Sequence, residues 1–262
     1  MGTELAGTDL KLDAGTLYAF LLVLARFSGI FIFVPLPGIK AGPEAPRVVL
    51  SVGLTLALIS RWPVVDATAV NVMLLTGWIL GEAAMGIAVG LAVAFLAEGF
   101  QMGAQIVSLQ AGYTFATTID PTSGADSEVL LTLAQLATGL LFFAIGLDRQ
   151  VLSAVAQSLA SQAPGHLEIS QPMVDRLIQA GASIFTSGFR LVLPLLSLLL
   201  MVEISMALLA RLNSQLHLML LSRPIKMLLT LALFAWLLLI FPKVFGQSAG
   251  QTIQLVRALL GP

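Results

Sequence analysis

The sequence predicts an all-α integral membrane protein, and three observations carry that expectation. Of 262 residues, 58% are hydrophobic and 10% charged, with a mean hydropathy of +0.97, against about 45–50% and 25% in a soluble domain. The apolar residues gather in six blocks separated by turn-forming residues. Leu and Ala dominate those blocks, which favours helices over strands. Thirteen Lys and Arg against fourteen Asp and Glu leave a net charge of -1, so there is no basic field to attract nucleic acid, and none is expected as a partner. With no cysteine in the chain, disulfides, thiolate metal sites and a cysteine nucleophile are excluded.

Residues 1–13 form a polar N-terminal segment. Its Glu4, Asp9 and Asp13 are the opposite of the positive leader of a cleaved signal peptide, so the first apolar block is expected to be retained. Residues 14–257 read as a single polytopic helical domain and 258–262 as a tail. The blocks run Ala14–Val34, Val48–Ser60, Ala67–Ala97, Val129–Leu147, Leu177–Ala210 and Met227–Phe241, with turn chemistry at Pro35-Leu36-Pro37-Gly38 and Ala163-Pro164-Gly165. A lipid-facing span wants about 20 apolar residues with few or no charges. Arg26 interrupts the first block, Glu82 the third, and Arg190 and Glu203 the fifth, while the second is a short run between Arg47 and Arg61. Only Val129–Leu147 is long and uncharged. A charge in hydrocarbon costs at least about 2.5–3.5 kcal/mol, so these residues are expected to face protein or water, and many of the helices to see neighbours, not lipid.

Glycine points the same way. Gly77, Gly81, Gly86 and Gly90 recur at spacings of four and five, and Gly99 and Gly103 continue the spacing, a small-residue stripe that lets helix backbones approach. From Gly99 to Thr118 the character changes, with Gln101, Gln105 and Gln110 among Gly, Ser and Thr. The stretch Gly112 to Gly124 then mixes β-branched, aromatic and turn residues. Non-helical backbone at membrane depth is tolerated only where protein buries it or an aqueous cavity borders it. The stretch therefore reads either as a constriction loop or as an exposed surface loop. Pro194, inside an apolar block, is expected to kink or divide its helix. Pro224, with Arg223 and Lys226 beside it, suits a first helical turn.

Catalytic constellations are missing. His166 and His217 are the only histidines and stand far apart, with no zinc-binding spacing. Neither a nucleophile elbow nor a phosphate-binding loop occurs. Glu82, Glu98 and Glu203 are candidates for proton carriage, but ion pairs with Arg26 or Arg190 would account for them equally well.

Three stretches, in order, resemble the FliR family of flagellar biosynthesis proteins and their counterparts in type III secretion. The first is Arg26-Phe27-Ser28-Gly29, with Phe33-Val34-Pro35 and Pro46-Arg47-Val48. The second and most specific comprises Gly103, Gln110, Gly112, Phe115-Ala116, Asp120-Pro121 and Ser123-Gly124, followed by Leu140-Leu141-Phe142-Phe143. The third is Phe189-Arg190-Leu191, Leu193-Pro194, Glu203 and Pro224-Ile225-Lys226. The resemblance implies a non-enzymatic, cofactor-free subunit of the flagellar protein-export gate in the bacterial inner membrane, at the flagellar basal body. It implies helical hairpins with broken helices, packed with FliP and FliQ into a hetero-oligomeric helical assembly that docks to FlhA and FlhB and conducts unfolded export substrates.

The same resemblance assigns Gly112 to Gly124 as the plug of the closed pore. Asp120, Pro121 and Gly124 would set its turn, and Tyr113, Phe115 and Ile119 would fill the lumen. Structural or inter-subunit roles fall to Arg26, Pro35, Arg47, Glu82, Gly86, Gly90, Gln105, Gln110, Arg190, Pro194, Glu203, Pro224 and Lys226. The alternative from another class is a small-solute secondary transporter or channel, motivated by the intramembrane carboxylates and Pro194.

Overall fold

The computed structural model describes residues 13–34, 45–66, 68, 70–113, 129–161, 171–212 and 218–260. Among them the helices are α1 Ala14–Phe33, α2 Ala45–Ala57, α3 Val72–Ala111, α4 Val129–Ala144, α5 Leu147–Ser161, α6 Gln171–Leu212 and α7 Leu218–Leu259, with a 3-10 turn at Ile59–Arg61 and no strand. The all-α membrane architecture is borne out: four of the helices are long and apolar enough to cross a membrane, or five spans if the bent pair α4 and α5 is one.

Helix α3 is the axis of the molecule. Asn71 caps its start by accepting a hydrogen bond from the Met73 N–H at 2.8 Å. It ends at Gly112, whose φ of 87° is the left-handed conformation that closes helices. The Tyr113 N–H reaches back to the Ser108 carbonyl at 3.1 Å and satisfies one of the last-turn acceptors. The apolar block ending at Ala97 and the glutamine-rich stretch after it are thus one element of 40 residues. At about 1.5 Å per residue it is roughly 60 Å long, twice the hydrocarbon thickness of about 30 Å.

Its neighbours are staggered along that length. Helix α1 runs parallel to the first half, with Arg26 beside Gly86 and Ile30 beside Gly90. Helix α6 runs parallel to the second half, with Gly188 beside Gly99 and Gly103, and Glu203 beside Gln110. Helix α7 returns antiparallel, from Met227 at Tyr113 to Phe241 and Phe245 at Phe100. Two hydrophobic cores result. One joins Phe27 and Ile30 of α1 to Val89 and Val93 of α3, Val155 of α5 and Val256 of α7. The other joins Ala104 and Val107 of α3 to Leu130 of α4, Leu195 and Leu199 of α6 and Phe234 of α7. Phe100 is the waist between them, edge-on to Phe241 at 4.6 Å and tilted against Phe245 at 5.3 Å.

The glycine stripe serves both contacts. A Cβ at Gly86 would lie 2.1 Å from the Arg26 carbonyl oxygen, and one at Gly103 would lie 2.9 Å from Val192. Gly77 has open space around it, so its membership in the stripe carries no packing.

Of the kink or division expected at Pro194, the division does not occur: α6 is continuous through it, and the proline stands on the exposed side of the helix. Pro224 is not in a first turn, because α7 already begins at Leu218. The uncharged block Val129–Leu147 spans two helices. It breaks after Ala144, where Gly146 takes a φ of 69° and α5 leaves at 58° to α4.

Candidate functional site

Two polar constellations mark the two core levels, the first buried and the second at the surface, where Glu203 is half exposed. In the first, Arg26 of α1 and Glu82 of α3 form a buried ion pair, with Nε donating to Oε2 at 2.5 Å. The Arg26 Nη1 also donates to the Ser158 hydroxyl of α5 at 2.8 Å, and that hydroxyl donates onward to the Val155 carbonyl at 2.8 Å. The arginine is 1% exposed and the glutamate 4%. At that burial neither charge is tolerable alone, so each exists because the other does. The pair, with Ser158, cross-links three helices.

The second constellation surrounds the end of α3. Glu203 of α6 accepts from Gln110 Nε2 at 3.2 Å and from Lys226 Nζ of α7 at 3.1 Å, both on Oε2. Three residues further along, the Tyr113 hydroxyl donates to the Met227 carbonyl of α7 at 2.7 Å. Burial pushes the Tyr113 phenol above its usual range, which keeps the proton that makes it a donor. The chain entering the segment after Gly112 is therefore held at one point against α6 and α7.

Other residues singled out from the sequence fall around these centres. Gly86 and Gly90 seat α1 on α3, as described. Arg47 of α2 donates from Nη1 to the Ile32 carbonyl at the end of α1 at 2.9 Å, tying the short helix back onto the first. Gln105 and Arg190 are exposed on α3 and α6. Of the two pairings the sequence left open, Glu82 takes Arg26, while Glu203 takes Lys226. Pro35, Phe115, Ile119, Asp120, Pro121 and Gly124 lie outside the described residues. Sequence reasoning missed Ser158 and the Met227 carbonyl. A serine in a helix carries no distinguishing signal, and a backbone acceptor carries none at all. Among the described residues no group of three or more potential metal ligands occurs.

Apolar helices longer than a bilayer is thick, pinned by a buried ion pair, define a polytopic helical membrane protein. The comparisons with known proteins then give the family. Residues 17–252 match the model of the bacterial export proteins, family 1, and the chain belongs to that family. It is 26% identical over 216 residues to the flagellar biosynthetic protein FliR of Escherichia coli (strain K12), covering 82% of either chain. Against the flagellar biosynthetic protein FliR of Bacillus subtilis (strain 168) it is 22% identical over 253 residues, covering 92% of this chain and 94% of that one. The FliR resemblance carried by the three motif stretches is thereby borne out, and the chain is a membrane component of flagellar export.

Proposed function

We propose that this protein is a non-enzymatic subunit of the flagellar export gate that lines part of the substrate-conducting pore and supplies its plug. The plug is the segment Gly112 to Gly124, and its reading rests on the way the segment begins. The left-handed cap at Gly112, the Tyr113 to Met227 hydrogen bond and the Gln110, Glu203 and Lys226 network hold its first residues against two further helices. That anchoring suits a closure that opens for an unfolded chain and shuts again.

The stagger of the helices supports assembly with sister subunits. Ile30 meets α3 at Gly90 and Glu203 meets it at Gln110, levels roughly 30 Å apart at about 1.5 Å per residue. One bilayer of about 30 Å cannot cover both apolar levels, so protein must cover part of them. Leu198, Met201 and Ile204 on α6 and Leu228, Trp236 and Leu239 on α7 are exposed large side chains available for such contacts. FliP and FliQ are the proposed covering subunits, and FlhA and FlhB the docking partners. The assembly would stand in the inner membrane at the basal body, with residues 14–257 as one export-gate domain.

Deleting Tyr113–Ile119 while co-expressing the partner subunits is expected to raise ion leakage across the membrane. Unchanged conductance with the assembly intact would remove the plug assignment. Native mass spectrometry of the detergent-extracted complex tests the partners. A hetero-oligomer with two other small membrane proteins is expected, and a bare monomer would favour a solute transporter.

A further inference from the structure

A cavity of about 320 Å³ opens between α3, α6 and α7, outside both constellations described above. Its polar wall is donor-rich. Arg176 and Gln179 come from the first turns of α6, and Ser248 and Gln251 from the last turns of α7. Among the described residues no carboxylate lines it and no acidic side chain pairs with Arg176. The Ser183 and Thr252 hydroxyls that also border it donate to carbonyls of their own helices, to Ala180 at 2.6 Å and Ser248 at 3.1 Å. The donors left over are thus the guanidinium, two side-chain amides and one hydroxyl. The remaining wall is apolar, made by Phe95, Leu96 and Phe100 of α3 and Leu255 of α7.

A guanidinium offers a planar fork that matches phosphate oxygens in pairs. Amides and a hydroxyl around it complete a site for an anion with several acceptor oxygens, and the apolar wall suits a ligand with a hydrocarbon stem. The cavity also sits where the two apolar levels meet. The uncharged run of α3 ends at Ala97, between the lining residues Leu96 and Phe100, while the uncharged stretch of α6 before Glu203 begins at Leu191 and that of α7 ends at Pro242. Whichever level is immersed in hydrocarbon, the cavity opens at its polar edge, the depth of lipid phosphates.

We infer that this cavity binds the phosphate headgroup of an anionic phospholipid, with Arg176 as the charge-bearing contact. Its volume exceeds that of a bare phosphate and accommodates a glycerophosphate, at the lower end of ligand-pocket sizes of about 300–1,000 Å³.

The test is native mass spectrometry of the full chain in detergent with added phosphatidylglycerol. The wild-type protein is expected to retain one lipid, Arg176→Gln to weaken retention about tenfold, and Arg176→Lys to recover part of it. Arg211→Gln, which removes an exposed arginine at the far end of the same helix, is expected to leave retention unchanged. Equal retention by wild type and Arg176→Gln, or equal loss in Arg211→Gln, overturns the site. Displacement of the lipid by millimolar inorganic phosphate would assign the cavity to the free anion and overturn the lipid.

Discussion

Arg26 and Glu82 meet inside the protein as a nearly inaccessible ion pair, 56 positions apart in the chain and on different helices. The arginine also holds Ser158. Breaking one side leaves a charge with no water and no partner. Arg26→Met is therefore expected to destabilise the protein by about 3–5 kcal/mol, whereas Arg26→Met with Glu82→Leu recovers most of that loss. Unfolding in detergent by urea or heat measures both. A double variant as unstable as the single one would mean that the pair's geometry, and not charge compensation, sustains the fold.

Gly86 and Gly77 sit nine positions apart on α3 and should respond differently to the same change. At Gly86 an added methyl meets the Arg26 backbone, which cannot turn aside as a side chain can, so Gly86→Ala forces α1 away from α3. A loss of about 1–3 kcal/mol is expected. At Gly77, with open space around it, the same substitution is expected to raise stability by roughly 0.5–1 kcal/mol through helix propensity. Thermal midpoints moving in the same direction for both would contradict this packing.

Tyr113→Phe keeps the ring and removes only the hydroxyl bonded to the Met227 carbonyl. The cost is about 1 kcal/mol and local. Amide exchange is expected to quicken around Met227 and Tyr113 and to stay unchanged around Arg26. With the partner subunits present, a modest rise in ion leakage should accompany it, smaller than that of the plug deletion. Uniform exchange across the chain would detach the hydroxyl from the anchoring role.

Pro194 lies within an unbroken α6 and on its exposed side. The missing N–H leaves the Arg190 carbonyl without its helical donor. Replacing it by Ala restores that bond and is expected to stabilise the isolated chain, by up to about 3 kcal/mol on the interior-helix scale. A measured destabilisation would show that the proline's local geometry is required by the packing of α6 on α3 and α7.

Charges at Arg26 and Glu82 inside apolar blocks pointed to helices that face protein, because an unpaired charge in hydrocarbon is costly wherever the helix packs. The residues around Gly112 announced a break, and α3 stops there. At Pro194, Pro224 and the block ending at Leu147, local rules alone do not place the helix ends. An exposed proline can be carried by a helix packed along its other face, whereas an uncharged run can still turn where a glycine adopts positive φ.

The sequence by itself determined that the protein is helical, membrane-embedded, free of cysteine chemistry and a member of the export family, since composition, block length and motif order survive any arrangement of the helices. The tertiary structure alone decided which charges meet. Glu82 takes Arg26 and not Arg190, Ser158 joins them from 132 positions away, and Glu203 takes Lys226. Those pairings follow from the direction and axial offset of each helix along α3, quantities set by long-range packing that no local pattern of residues encodes.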